Sequence, residues 1–168
     1  MFMTTVTRSR SLALVAVADV ALVAAACFVP AVSHLAAWPL YMLNPMLALL
    51  LAGLLVGRRA GWQTGNGLML ALLMPLVSSL LVGMPVVAKL PCMVAELAVV
   101  AAGFALLSRR MPVLPAVLLA VVAGKGVYYG LKALLLPGAV LVGTDWAVQA
   151  FAVLLWGGLF AVCYRWVR

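Results

Sequence analysis

Long runs of apolar residues, separated by short groups of polar, glycine or proline residues, fill this chain from end to end. About 20 apolar residues cross the hydrocarbon core of a bilayer as a helix, and lipid tolerates no unpaired backbone groups. We therefore predict that every run is a helix. The chain is expected to form an all-α, six-helix transmembrane bundle, a single integral membrane domain over residues 1–168, with helices at 11–29, 40–57, 67–82, 91–107, 113–131 and 146–164.

The composition excludes the common classes of water-soluble protein. Of the 168 residues, 68% are hydrophobic and 8% are charged, whereas soluble domains have roughly 45–50% apolar and about 25% charged residues. Disordered chains are poor in apolar residues and rich in charge, so disorder is excluded as well. Six crossings leave no room for a soluble catalytic or nucleotide-binding domain, and we expect no enzyme activity.

Basic residues predict the orientation, because Lys and Arg concentrate in cytoplasmic loops. Eight of them lie at the two termini and in the second and fourth connections, which share one side of a six-helix chain. Two lie on the other side, and Lys125 lies within the fifth helix. Both termini are therefore expected in the cytoplasm, and the net charge of +8 indicates topology rather than nucleic-acid binding. The eight are Arg8, Arg10, Arg58, Arg59, Arg109, Arg110, Arg165 and Arg168; the two are Lys89 and Lys132.

The cysteines give no sign of a metal or cofactor site. Cys27, Cys92 and Cys163 each stand alone in an apolar run, without metal-ligand spacing or a disulfide framework. The run that ends at Ala24–Cys27 faintly resembles a lipoprotein cleavage site, but more apolar sequence follows it, so a spanning helix is expected.

Ionisable side chains inside membrane helices are costly and mark candidate functional sites. Glu96 in the fourth helix and Lys125 in the fifth are each expected about 8 Å below the outer face, from 1.5 Å of rise per residue. The two charges are expected either to pair as a structural contact or to hold a ligand together. Asp19 is expected near the midplane, protonated or facing a neighbour.

Further polar and aromatic residues fall at the depth of Glu96, and the inner half has few. This asymmetry predicts a substrate pocket that opens outward, whereas an ion path needs polar groups through the full thickness. The aromatic members are equally good candidates for interface anchors. The set comprises Asn44, Ser78, Ser79, Tyr128, Tyr129, Trp146 and Gln149, of which Asn44, Tyr128, Trp146 and Gln149 join Glu96 and Lys125 as predicted substrate ligands.

Small residues predict where helices approach one another closely in lipid. Gly53, Gly57 and Gly61 are spaced by four, as are Gly126 and Gly130. Ala18, Ala21 and Ala25 form a smooth stripe on the first helix. If that stripe faces lipid, it indicates a docking surface for another membrane subunit.

Two segments resemble a known family. Gly83-Met-Pro85 followed by Pro91-x-Met93-x-x-Glu96-Leu97 is similar to the third loop and fourth helix of substrate-binding subunits (S-components) of energy-coupling factor transporters, and Ala21-x-x-x-Ala25 is similar to their docking motif. The resemblance implies capture of a vitamin-like micronutrient at the outer face of a bacterial plasma membrane. It also implies a transmembrane coupling subunit and two ABC ATPases as partners, and a ligand-contacting acid at Glu96. It does not identify the substrate.

Two other functions are kept as alternatives. A stand-alone channel or exporter subunit would associate through its glycine faces. An intramembrane enzyme would need a nucleophile with its base, a carboxylate pair or metal ligands at one depth, and the sequence offers no such set: His34 is in an outer loop, and Asp19 and Glu96 are expected at different depths.

Overall fold

Six helices make up the computed structural model, which describes residues 3–35, 44–82, 89–135 and 144–167. They confirm the predicted all-α class and the number and order of the helices, and the described residues include no strand. The helices are α1 (Met3–Leu35), α2 (Pro45–Arg59), α3 (Gln63–Val82), α4 (Leu90–Leu107), α5 (Val113–Leu135) and α6 (Thr144–Trp166).

Five of the helices are longer than predicted, α4 by one residue at its start and α6, at Thr144–Trp166 instead of 146–164, by two residues at each end. The first helix begins at Met3 and continues through Pro30, and α5 ends at Leu135 instead of 131. The third helix begins at Gln63 rather than 67. The carbonyl of Trp62 accepts the N–H of Asn66 at 2.9 Å, and this bond closes a first helical turn that includes Gly65. This earlier start places Asn66 inside the bundle.

A tight turn joins α2 to α3. The N–H of Trp62 donates to the carbonyl of Gly57 at 2.8 Å, and the N–H of Gly61 donates to the carbonyl of Arg58 at 3.0 Å. These two bonds form a Schellman motif, which requires a left-handed residue after the helix end. Gly61 fills that position with φ of +72°. The turn makes α2 and α3 antiparallel neighbours.

The second helix is the centre of the bundle. It packs against α1, α3, α4 and α6, while α5 packs against α4 and α6. Between Asn44 and Arg58, no side chain of α2 is exposed. Apolar residues at helical spacing on α2 to α6 form one core: Leu47, Leu50, Leu54, Leu70, Met74, Leu97, Val100, Phe104, Val117, Val121 and Phe160.

Small residues bring α4 and α5 together, but not the pair that the sequence pattern indicated. A Cβ at Gly124 would lie 2.8 Å from the backbone oxygen of Glu96, and one at Gly103 would lie 3.4 Å from Ala120 Cβ. Among the described residues, Gly126 and Gly130 have no such neighbour within 4 Å, so the described bundle makes no internal contact through them. The face of α5 that packs on α4 instead carries Ala120 and Gly124.

Four helices are long and apolar enough to cross a membrane: residues Gln63–Leu81, Leu90–Leu107, Val113–Leu135 and Ala147–Trp166. A shorter apolar stretch, Leu12–Phe28, lies in α1. The outward faces of these helices carry large exposed apolar side chains, among them Leu14, Val20, Leu72, Leu119, Val122 and Leu154. So large an apolar surface is suited to lipid rather than to water.

Candidate functional site

Polar side chains gather at two opposite ends of the bundle. At one end, which we call the Asn44 end, Asn44, Glu96 and Lys125 are in contact. At the other, the Arg58 end, Arg58 and Tyr164 are in contact. The prediction that one half of the bundle has few polar groups is therefore wrong.

Glu96 and Lys125 form an ion pair between neighbouring helices at the Asn44 end. Lys125 Nζ lies 2.9 Å from Glu96 Oε1, and the side chains are 15% and 7% exposed, respectively. Glu96 lies six residues after Leu90, about 9 Å along α4. Gly124, the residue before Lys125, is where α5 approaches α4 closely. This contact places the side chains of Glu96 and Lys125 side by side. The charges predicted to share a depth are in direct contact.

Asn44 supplies a third polar group to this cluster. It precedes the first residue of α2 and has a left-handed backbone with φ of 50°, a conformation that asparagine adopts more readily than most residues. Its Nδ2 donates to Glu96 Oε1 at 3.4 Å. The cluster thus joins the start of α2 to α4 and α5. Glu96 Oε1 accepts a hydrogen bond from Asn44 and contacts the ammonium group of Lys125.

Two tyrosines lie beside the ion pair. Lys125 Nζ lies 5.5 Å from the ring centroid of Tyr128, within the range of a cation–π contact. The rings of Tyr128 and Tyr129 meet edge to face, with centroids 5.2 Å apart. Both side chains are half-buried. An aromatic surface next to paired charges suits a ligand that has a flat apolar part and a charged part.

The remaining predicted substrate ligands lie on α6. Gln149 is half-buried in the second turn of α6. Trp146 belongs to the first turn, and its side chain lies outside the described part of the chain. The structure therefore brings Glu96, Lys125, Asn44 and Tyr128 together, and it places the other two at the same end of the bundle. A role of any of these residues in binding a substrate stays a prediction.

A second polar cluster lies at the Arg58 end and includes Asp19. Nδ2 of Asn66 donates to Asp19 Oδ1 at 3.0 Å and to the carbonyl of Gly53 at 2.9 Å. Asn66 is fully buried and Asp19 is 6% exposed. Asn66 is in the first turn of α3, and the Gly53 carbonyl beside it is near the middle of α2. As predicted, the carboxyl group faces a neighbour.

Arg58 fastens α2 to α6 at the same end. Its Nη1 donates to the backbone carbonyl of Tyr164, and the Tyr164 hydroxyl donates to Gln63 Oε1 at 3.5 Å. From the sequence, Arg58 is only an indicator of orientation, and neither Tyr164 nor Gln63 is predicted to be functional. A shallow cleft of about 290 Å³ adjoins this contact, lined by Arg58, Gly61, Trp62, Gln63, Thr64 and Gly65.

The alanine stripe lies beside the packed face of α1. Val15 and Ala26 are buried against the bundle, whereas Ala21 is exposed and Ala18 and Ala25 are partly exposed. The stripe thus lies at the edge of the packed face, with Ala21 as its exposed member.

At the Asn44 end, the ammonium group of Lys125 and the amide group of Asn44 both contact one carboxylate oxygen of Glu96. A zwitterionic ligand can replace the ion pair with two ion pairs of its own. Among the described residues, no group of three or more His, Cys, Asp or Glu side chains is placed to hold a metal ion. No family model matches the chain, and neither a curated protein sequence nor a solved structure resembles it significantly.

Proposed function

We propose that this chain is the substrate-capture subunit of a multi-component uptake transporter of the energy-coupling factor type. Its substrate is a small polar or zwitterionic micronutrient, and the cluster at the Asn44 end recognises it. Glu96 contacts a cationic or hydrogen-bond-donating group, and Lys125 contacts an anionic one. Tyr128, Gln149 and Trp146 complete the walls of the site. The chain itself catalyses no reaction.

The Glu96–Lys125 pair is the observation that carries this proposal. Charged side chains in membrane helices are expensive and are retained mainly where they serve a function. The two residues lie on different helices, Lys125 is partly exposed, and Asn44 donates to the same Glu96 oxygen that Lys125 contacts. A merely structural pair would be replaceable by apolar residues of similar volume, often without loss of stability. A pair that exchanges partners with a ligand could be replaced without loss of stability, but not without loss of binding.

The proposed partners are a transmembrane coupling subunit and two ABC ATPases in a bacterial plasma membrane. The exposure of Ala21, with Ala18 and Ala25 partly exposed beside it, supports docking of another helix on this stripe, because small side chains let membrane helices approach closely. The distribution of Lys and Arg supports cytoplasmic termini, which would place the Asn44 end outside.

The test is purification of the tagged chain from its native membranes in mild detergent, with mass spectrometry of bound proteins and small molecules. We expect a membrane coupling protein, two ATP-binding-cassette subunits and a retained micronutrient. The same purification from a strain that expresses the Glu96→Gln variant should keep the proteins and lose the small molecule. Recovery of the chain alone, or only with copies of itself, would contradict the proposal.

A stand-alone exporter or channel subunit is the second candidate. It is favoured by the Asp19–Asn66 cluster, which adds buried polar groups at the Arg58 end to those at the Asn44 end. Polar groups at both ends are expected of a path through the bundle. Substrate flux through the purified chain in liposomes, without any ATPase, would support this candidate over substrate capture.

A further inference from the structure

Asp19 is a buried acid outside the proposed substrate site. The residue is 6% exposed where α1 meets α3, and Asn66 is its hydrogen-bond partner among the described residues. No described Lys or Arg side chain lies within salt-bridge distance of it. A carboxylate that kept its charge in such a place would carry a large desolvation penalty without a counter-ion, whereas the neutral acid would not.

The carboxamide oxygen of Asn66 has no hydrogen-bond donor among the described residues. Both groups next to Nδ2, the Asp19 carboxyl and the Gly53 carbonyl, are acceptors, so the amide nitrogen must face them. Oδ1 of Asn66 is then buried without a hydrogen-bond partner among the described residues. A buried acceptor in that state is unfavourable. The cluster therefore has an acceptor that needs a proton donor, next to an acid that can supply one.

We propose that Asp19 is a proton-binding site and that its acid form pairs with the Asn66 carboxamide through two hydrogen bonds. Nδ2 of Asn66 donates to Asp19 Oδ1, and the hydroxyl on Asp19 Oδ2 donates to Asn66 Oδ1. Binding forms one O–H bond with a proton from water, and release returns that proton to water. The ionised acid cannot make the second bond, because its oxygens only accept.

The number of available oxygens favours a proton over a metal ion. Asp19 Oδ2 and Asn66 Oδ1 are the two side-chain oxygens of this cluster that receive no described hydrogen bond. A proton needs no more than two oxygens, whereas Mg²⁺ and Ca²⁺ take six or more ligands. The Gly53 carbonyl already accepts a hydrogen bond from Asn66.

The charged groups of the surrounding helices do not supply a counter-ion. The helices that pack against α1 are α2 and α3, and α3 has no ionisable side chain. On α2, Arg58 is engaged with Tyr164 and Arg59 is exposed. On α1 itself the ionisable residues are remote along the helix axis: Cys27 and Arg10 are about 12 and 14 Å from Asp19, and Arg8 and His34 are farther.

The protonation state of Asp19 controls how tightly α1 packs against α2 and α3. Among the described side chains of α1, those that pack on the bundle beside Asp19 are apolar and of modest size: Val15, Leu22, Val23 and Ala26. Proton loss removes one hydrogen bond and sets a charged oxygen against Asn66 Oδ1. We therefore expect α1 to loosen from α2 and α3 when the proton leaves. This inference does not depend on the proposed capture function.

Infrared difference spectroscopy tests the proposal directly. The chain has three acidic side chains, Asp19, Glu96 and Asp145, so its carboxylic acid region is simple enough to assign by single variants. In lipid vesicles at neutral pH, we expect a carbonyl band of a protonated acid that strongly alkaline pH removes. Asp19→Asn should abolish this band, and the matched controls Glu96→Gln and Asp145→Asn should retain it.

The second arm of the test changes Asn66. Asn66→Leu has a similar volume and should move the band to higher frequency, because the Asp19 carbonyl loses its hydrogen bond. Asp19→Asn should melt close to the native chain, since an amide of the same shape can still donate to and accept from Asn66. If Asp19→Asn fails to fold, the Asn66→Leu spectrum still decides between a shifted band and none.

Two results would overturn the proposal. One is the absence of any acid band at neutral pH from both the native chain and Asn66→Leu. The other is thermal stabilisation by Na⁺, relative to choline at equal ionic strength, that Asp19→Asn abolishes, because the site would then bind a metal cation.

Discussion

Arg58 contacts Tyr164 in two ways at once. Its Nη1 donates to the Tyr164 backbone carbonyl at 2.6 Å, and its Cζ lies 3.5 Å from the centroid of the same residue's ring. The ring of Tyr164 in turn meets Phe104 edge to face, with centroids 5.5 Å apart. One arginine thereby ties α2 to α6 and, through the aromatic contact, to α4.

Arg58→Lys should lower the free energy of unfolding by about 1 to 2 kcal/mol. Lysine lacks the planar fork that lets one side chain both donate to a carbonyl and stack on a ring. The measurement is thermal or denaturant unfolding of the purified chain in detergent. Arg59→Lys is the matched control, because Arg59 is exposed and should be replaceable without effect. Equal stability of the two variants would show that the α2–α6 contact does not depend on the guanidinium group.

Gly124→Val should destabilise the chain by about 1 to 3 kcal/mol, since added atoms in a closely packed contact force the helices apart. Its Cβ alone would lie 2.7 Å from Val100 Cγ2 and 2.8 Å from the Glu96 carbonyl oxygen. Gly126→Ala is the control; with open space around it, alanine should be neutral or stabilise by up to about 1 kcal/mol through helix propensity. Unfolding of both variants in detergent checks the prediction, and a harmless Gly124→Val would contradict the described α4–α5 contact.

The Glu96–Lys125 pair should show strong non-additivity. Glu96→Gln or Lys125→Met alone should cost about 3 kcal/mol of stability, because each leaves a largely buried charge without its partner. The double variant should recover most of that loss. A double-mutant cycle on unfolding free energies measures the coupling.

The same double variant separates a structural from a functional role. Under the proposed function it should be stable yet fail to bind the micronutrient, and Glu96→Gln alone should weaken binding by about 1 to 3 kcal/mol through loss of a charged hydrogen bond. A double variant that is stable and binds normally would assign the pair to structure only.

Ala21→Leu should leave folding and substrate binding intact and reduce recovery of the coupling subunit in native purification. The side chain is exposed on α1, so a larger residue has room in the isolated chain but blocks close approach of another helix. Val20→Leu, also exposed on α1, is the control and should leave recovery unchanged. Equal recovery from both variants would rule out docking through this stripe.

The sequence predicted what depends on local pattern. Apolar runs are long and clearly separated, so the number and order of the helices follow from them. The shared level of Glu96 and Lys125 follows from counting along two antiparallel helices, and the structure confirms their contact.

The sequence did not predict features that depend on how each helix is rotated in the bundle, or on contacts between residues that are distant in sequence. Asn66 lies between two glycines, which favour helix ends, so the predicted α3 began after it and Asp19 had no partner. The contact of Arg58 with Tyr164 joins residues that are 106 positions apart. Gly126 and Gly130 matched a close-packing motif, but the described bundle makes no internal contact through them. The spacing of Ala120 and Gly124 was an equally visible signal for the contact that it does make.

The enclosure of α2 affects how the bundle responds to bilayer thickness. At 15 residues, α2 is about 22 Å long, whereas the hydrocarbon core of a bilayer is about 30 Å thick. A helix that faced lipid would have to relieve this hydrophobic mismatch by thinning the bilayer or by burying its ends. Because its side chains before Arg59 are buried or only partly exposed, α2 makes a smaller demand of this kind. The thickness preference of the protein is set mainly by the outer helices.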